Sequence, residues 1–190
     1  MKRILLLLTL LLLIGPMQAQ DYQAGSVSKA YRVFGTDTIY PGKTLYENIK
    51  NTQQFTVVAK IFELTSIQDE IDKLGMVTVF LPTDEAFSQY DEKALEDLLS
   101  ASNTAKLKEA LMNHIIMGRV DQNSLQRNLK QNAGSAFFRS PSEMDPEFQQ
   151  QGSNLMIAIP NAPKAKITEV NYFHKNGYLH MVNAFLMPNE

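Results

Sequence analysis

The sequence predicts an α+β fold, with most helices in the first part of the chain and most strands in the second. From residue 44 to 129, apolar side chains recur every three or four residues behind capping residues, which is typical of amphipathic helices. From residue 135 onwards, short apolar and β-branched runs alternate with turn residues, which favours strands. Neither a repeat nor a linker interrupts residues 43–188, so this stretch is expected to form one domain.

Helices are expected where a capping residue precedes an apolar stripe. Thr44 and Glu47 have the spacing of a capping box, and Asp91, Thr104 and Asp121 have the position of N-cap residues. One helix is expected to start at residue 44. Further helices are expected at residues 55–62, 67–74, 92–99, 105–115 and 121–129.

Strands are expected where β-branched and aromatic residues lie between turn signals. Residues 77–81, VTVFL, are apolar and bounded by Gly75 and Pro82, which predicts a buried strand. Asn176-Gly177 predicts a hairpin. Further strands are expected at residues 30–34, 135–138, 154–159, 165–173 and 178–187.

Residues 139–153 are polar and contain two prolines and three consecutive glutamines, which predicts a loop insertion. Long loops on rigid scaffolds often bind partners, and Phe148 is the candidate contact residue in this one. A disordered insertion is the favoured alternative, because the composition is so polar.

Residues 1–19 have the features of a cleavable signal peptide. Lys2 and Arg3 precede an apolar run over residues 4–14, which is too short to span a bilayer. Ala19 then offers a cleavage point, with a retained signal anchor as the alternative. We therefore expect a secreted, periplasmic or cell-surface protein, bacterial from the form of its leader, in which residues 20–42 form an N-terminal extension.

Composition excludes several classes of function. The formal net charge is −2 and no basic run is present, which argues against nucleic-acid binding. The absence of cysteine excludes disulfides and thiol catalysis, and the three histidines lie too far apart in sequence to form a metal motif. No catalytic motif is present, so the sequence predicts no cofactor and no enzyme activity, and no membrane span once the signal is removed.

Three segments of the chain resemble fasciclin-type domains. TVFLPTDEAF at 78–87, LMNHIIMGRV at 111–120 and NGYLHMVNAFLMP at 176–188 are similar to the first, central and terminal blocks of that family. Asn113 departs from the usual tyrosine, and Asn183 from the usual aspartate. The resemblance covers residues 43–188 and implies a β-sheet wedge flanked by helices, with a role in adhesion or interaction rather than catalysis.

The first and last blocks contain residues for which a structural role is expected. Thr83 has the position of an N-cap, with Asp84 in the first helical turn and Phe87 on its apolar side. In the last block, His180 lies on a strand that is apolar on both faces, next to the Asn176-Gly177 turn. His174, by contrast, is expected to be exposed beside that turn.

The central block contains the candidate partner-binding residues. His114 falls on the apolar face of a predicted helix, where a single histidine is usually a buried, hydrogen-bonded core residue. The family resemblance instead implies partner binding by this block, so His114, Ile115 and Ile116 are candidate contacts.

Three functions follow, in decreasing order of support. The first is an exported adhesion or interaction module that binds a protein or glycan at the cell surface or in the extracellular matrix. The second is a periplasmic carrier of a small apolar ligand, suggested by nine methionines, although core packing explains methionines more simply. The third is a hydrolase that would use His114 or His180.

Overall fold

A mixed seven-stranded sheet forms the centre of the computed structural model, which describes residues 31–142 and 144–188. The predicted signal peptide at 1–19 and the first part of the extension lie outside the described residues. The sheet contains β3 (Val77–Pro82), β4 (Ile115–Met117), β5 (Ser135–Phe137), β6 (Glu147–Gln151), β7 (Asn154–Ala158), β8 (Ala165–His174) and β9 (Gly177–Val182). A separate hairpin consists of β1 (Arg32–Phe34) and β2 (Asp37–Ile39).

The strand order is β4-β3-β9-β8-β7-β6-β5, and all neighbours are antiparallel except β3 and β9. The helices are α1 (Leu45–Ile49), α2 (Thr56–Thr65), α3 (Gln68–Lys73), α4 (Glu92–Leu98), α5 (Thr104–Met112) and α6 (Gln122–Gln131). Two short 3₁₀ helices cover Asp84–Phe87 and Ala101–Asn103. A mixed sheet with several helices confirms the α+β prediction.

The central strands have apolar side chains on both faces, which gives the domain two hydrophobic clusters. Val79 and Leu81 of β3 face the cluster that includes residues of α1, α2, α3 and α5. Phe80, between them in sequence, faces the second cluster with Leu125 of α6 and Phe148 of β6. This alternation follows the two-residue period of a strand. The predicted buried strand is therefore the strand that separates the two halves of the core.

The parallel pair β3–β9 depends on a close backbone approach at Gly177. A Cβ atom placed there would lie 1.8 Å from the carbonyl oxygen of Val77, closer than any side chain tolerates. The predicted hairpin is present, but its two-residue turn is Lys175-Asn176, because Gly177 pairs with His174 as the first residue of β9. Glycine is thus required here for strand packing rather than for the turn.

Helix capping confirms three of the local predictions and corrects two of them. Thr104, an expected N-cap, is instead the first residue of α5, and the N-cap position belongs to Asn103, whose side chain makes no capping hydrogen bond. Thr44 and Glu47 form the capping box of α1, and Asp91 and Asp121 cap α4 and α6. The Thr83 side chain makes no capping hydrogen bond. The Asp84 carboxylate instead accepts the N–H groups of Thr56 and Val57, each at 3.0 Å, so it caps α2 from a distant part of the chain.

Other differences concern short strands. The helix predicted to reach residue 115 ends at Met112, and Ile115 to Met117 form β4, because pairing with β3 stabilises an extended backbone there. The last strand ends at Val182 rather than at 187. The predicted strand at 30–34 is β1, and β2 was not predicted. The expected loop 139–153 includes β6, which pairs with both β5 and β7 and buries Phe148.

Candidate functional site

His114 links the end of α5 to the C-terminal segment. Its Nδ1–H donates to the carbonyl oxygen of Ala110 at 2.8 Å, and its Nε2 accepts the N–H of Leu186 at 3.0 Å. The ring stacks on Phe185 with centroids 5.1 Å apart, and the side chain is fully buried. Because one nitrogen donates and the other accepts, the ring is the neutral Nδ1–H tautomer.

Burial lowers the pKa of His114 to about 4. The cause is desolvation, which disfavours the charged imidazolium in an apolar surrounding. Protonation would also place a hydrogen on Nε2, opposite the N–H of Leu186. Since both ring nitrogens bind backbone groups, neither is free to act as a base toward a substrate. The geometry gives His114 a structural role.

His180 and His174 are buried as well. His180 donates from Nε2 to the carbonyl oxygen of Val120 at 3.0 Å and stacks on Phe80 at 5.0 Å, as expected for a structural residue. His174 is only 2% exposed, so the prediction that it lies on the surface is wrong. It is the last residue of β8, and its side chain faces inward there. Burial lowers the pKa of both rings to about 4.

The other predicted contact residues also lie inside the domain. Ile115, Ile116 and Phe148 are each at most 1% exposed. Ile115 and Ile116 alternate across β4, so one enters each core cluster. Phe148 packs on Phe80 at 5.0 Å. These placements correct the expectation of a contact surface, because the four side chains, His114 included, are covered by the fold itself.

Asn113, the residue before His114 that departs from the family pattern, lies fully inside the domain, and its side-chain amide forms no hydrogen bond with a described residue. Neither its Nδ2 nor its Oδ1 has a partner among the described residues. A buried amide without partners costs free energy, because its bonds to water are lost and not replaced. This position is a local defect in an otherwise paired central block.

The surface offers a different candidate site beside β4. This site is a depression of about 700 Å³, which we call the Met117 depression. Its lining residues are Leu74, Met117, Arg139, Ser140, Pro141, Ser142 and Asp145. Met117 is 37% exposed, and its N–H donates to the carbonyl oxygen of Arg139 at 2.8 Å. This bond fixes the start of the predicted excursion against the edge strand β4.

The walls of the depression are ordered by short-range hydrogen bonds. The backbone N–H of Ser140 donates to the Asp145 carboxylate at 2.8 Å, and the Ser140 hydroxyl donates to the carbonyl oxygen of Met112 at 3.2 Å. Arg139 is exposed and forms no ion pair with a described carboxylate. Two residues before Arg139, Phe137 is 70% exposed. The depression therefore combines the apolar side chains of Leu74, Met117 and Pro141 with a guanidinium group that forms no ion pair with a described carboxylate.

Within the described residues, no group of histidine and carboxylate side chains could hold a metal ion. Over the same residues, no helix is long and apolar enough to cross a membrane.

Comparison with known proteins decides the family. The family model described as the fasciclin domain matches residues 53–188. The chain belongs to the fasciclin domain family. The resemblance seen in the three sequence blocks is thereby confirmed, and fasciclin domains are typically non-enzymatic modules for adhesion and interaction.

Two relatives and one solved structure place this fasciclin domain among others. Human periostin is 23% identical over 152 residues, which cover 78% of this chain and 16% of periostin, so the chain spans only a small part of that relative. Protein sll1483 of Synechocystis is 21% identical over 146 residues, 76% of this chain and 73% of that protein. A FAS1 domain pair from the insect cell adhesion molecule fasciclin I has a TM-score of 0.64 at 15% identity, covering 83% of this chain and 66% of that one.

Sequence reasoning missed the Met117 depression because its parts are distant in the chain. Leu74, Met117 and Arg139 come together only through the β3–β4 pairing and the bond from Met117 to Arg139. The polar composition of 139–153 did indicate an unusual segment. This segment contributes a wall of the depression through residues 139–142 and Asp145, whereas its predicted contact residue, Phe148, belongs to the core.

Proposed function

We propose that this fasciclin domain is an exported adhesion module that binds a protein or glycan at the cell surface or in the extracellular matrix through the Met117 depression. The observation that carries the proposal is the exposure of Met117 in a depression that is also lined by Arg139, whose guanidinium forms no ion pair with a described carboxylate. Apolar side chains around an arginine are typical of contact surfaces, where each contributes buried area or directed hydrogen bonds. Membership of the fasciclin domain family supports the same class of function.

Export is supported by residues 1–19, whose basic, apolar and small segments follow the order of a signal peptide. Cleavage after Ala19 is the expected event. Fractionation of producing cells into cytoplasm, periplasm, surface and medium, together with the mass of the mature N-terminus, tests it. Recovery of the uncleaved chain in the cytoplasm would contradict export.

Retention on cell-surface or matrix preparations tests adhesion. Met117→Asp is expected to lower retention at least about tenfold, because the variant loses the apolar contact of Met117 and docking must remove water from a new carboxylate that competes with the partner for Arg139. Leu64→Asp is the matched control, since Leu64 is also 37% exposed but lies on α2. Equal retention of both variants would reject the depression, and retention no better than that of an unrelated exported protein would reject adhesion.

Neither alternative function gains support from the geometry. The described methionines do not share one site, because Met181 is buried in the core whereas Met76 and Met117 are exposed. The hydrolase hypothesis required a polar cleft at His114 or His180, and both rings are enclosed by backbone and aromatic contacts.

A further inference from the structure

A second cleft, of about 210 Å³, lies between the β1–β2 hairpin and α1, and we call it the hairpin cleft. Its lining residues all fall between positions 36 and 52, upstream of the segment that matches the family model. We propose that the hairpin cleft binds a single neutral sugar ring. This inference goes beyond the proposed function, because it assigns a ligand class to a second site that is separate from the Met117 depression.

The cleft has walls that are held in place without a ligand. Asn48 is 3% exposed, and its Oδ1 accepts the N–H of Tyr40 at 2.8 Å. Its Nδ2 donates to the carbonyl oxygens of Tyr40 at 3.0 Å and Thr44 at 3.1 Å. On the other side, Asp37 accepts the N–H of Gln53 at 2.9 Å through Oδ2. The hairpin and helix are therefore joined around a pre-formed space, as in most small-ligand sites.

Polar groups with unused hydrogen-bonding capacity face this space. Across the described residues, the hydroxyls of Thr36, Thr38 and Tyr40 and the side-chain amide of Asn51 form no hydrogen bond, and all four residues line the cleft. Neutral hydroxyl and amide groups can both donate and accept, which matches the ring of hydroxyls on a sugar. The free Oδ1 of Asp37 adds one charge-assisted acceptor.

Tyr40 supplies an apolar wall. Its side chain is 42% exposed, and an aromatic ring with a polar tip suits a ligand that has both C–H faces and hydroxyls. The Lys43 ammonium lies 4.4 Å from the ring centroid. Because Lys43 is itself exposed and flexible, this weak cation–π contact can give way to a ligand.

Charge and size narrow the ligand class. Asp37 and Glu47 oppose a single lysine, which disfavours acidic sugars. Both carboxylates already accept backbone N–H groups, from Gln53 and Thr44, which reduces their demand for a cation. The volume is smaller than the roughly 300–1,000 Å³ of pockets for drug-sized ligands, so one ring is the fitting unit.

Titration of ¹⁵N-labelled protein with the methyl glycosides of glucose, galactose and mannose and with N-acetylglucosamine tests the inference. At least one sugar is expected to cause saturable shifts confined to the amide signals of residues 36–52. Tyr40→Ala is expected to weaken that binding roughly tenfold, equivalent to about 1.4 kcal/mol, with an otherwise unchanged spectrum that confirms folding. Met117→Asp, in the other site, is expected to bind the sugar as the unmodified protein does.

The results separate this inference from the proposed function. No shift in residues 36–52 with any of the four sugars, or equal binding by the Tyr40→Ala variant, would overturn the sugar site. Loss of sugar binding in Met117→Asp alone would place the sugar in the Met117 depression and also overturn it. Failure of adhesion appears instead in the retention assay, where the unmodified protein would not bind cell-surface preparations.

Discussion

Replacing His114 with glutamine is expected to lower the free energy of unfolding by an amount that depends on pH. At pH 7.5 the flexible glutamine amide cannot hold both hydrogen bonds of the rigid ring, to the carbonyl oxygen of Ala110 and to the N–H of Leu186, and the variant removes the stacking partner of Phe185. An unsatisfied buried polar group costs about 1–3 kcal/mol and an aromatic contact about 0.5–1.5 kcal/mol. The expected loss at pH 7.5 is therefore about 2–4 kcal/mol.

The pH dependence follows from the lowered pKa of His114, about 4 in the folded chain against 6.5 for an unperturbed histidine. His114 binds a proton at a higher pH in the unfolded chain than in the folded chain. The contribution of its neutral ring to the free energy of unfolding is therefore complete above pH 6.5. It falls as the pH decreases from 6.5 to 4 and changes no further below that range. At about 1.36 kcal/mol per pKa unit, the loss in the unmodified protein is about 2 kcal/mol at pH 5.

The difference in stability between the unmodified protein and His114→Gln should therefore shrink by about 2 kcal/mol between pH 7.5 and pH 5. Urea unfolding at several pH values measures it. Phe185→Leu is the matched control, since it disturbs the same stack but leaves the titrating group, so its difference should not change with pH. Other titrating groups cancel in the comparison, including Asp121, whose pKa is lowered by hydrogen bonds from Ser124. A constant difference for His114→Gln would refute the reasoning.

Three further substitutions test single features of the fold by chemical denaturation. Asn113→Leu keeps the branched shape and removes two unpaired polar atoms, so it should raise the free energy of unfolding by about 1 kcal/mol; a loss would mean that the amide binds a water or other partner. Asp84→Ala should lower the free energy of unfolding by about 2 kcal/mol, because α2 loses the side-chain cap that Asp84 provides. Asp91→Ala removes one exposed hydrogen bond and should lower it by only about 0.5–1 kcal/mol. Equal effects of the two substitutions would argue against a special role for the distant cap. Gly177→Ala should prevent the β3–β9 pairing and strongly lower the denaturant midpoint of unfolding. Gly42→Ala should leave that midpoint nearly unchanged, because no atom lies within 4 Å of the added Cβ. A stable Gly177→Ala protein would contradict the close approach.

Features that depend on a few neighbouring residues could be predicted from the sequence. The capping box at Thr44 and the caps at Asp91 and Asp121 are present because each involves residues three positions apart. The strand at 77–81 was predicted because its apolar run fits burial on both faces. Such features depend only on residues that are close in sequence, so they can be predicted without knowing the tertiary fold.

Features that depend on distant residues could not be predicted in this way. Strand β4 has three residues and follows a helix directly, so only its pairing with β3 identifies it. The cap that Asp84 provides for α2 joins residues 28 positions apart. Phe148 was assigned to a loop because the glutamines after it hide the apolar alternation of β6. The Met117 depression is likewise a product of tertiary packing, because its lining residues come from three distant parts of the chain.

The residues that carry the family resemblance explain the fold rather than the specificity. Asp84 caps a distant helix, His114 joins α5 to the C-terminal segment, and Gly177 admits the parallel strand pair. His114 and Gly177 lie inside the domain, where a partner cannot reach them, and the carboxylate of the half-buried Asp84 is already occupied by the helix that it caps. Any discrimination between partners must therefore come from residues outside the three blocks or at their exposed edges. The surface residues that line the two clefts meet this condition, among them Tyr40 and Asn51 in the hairpin cleft and Met117 and Arg139 in the Met117 depression.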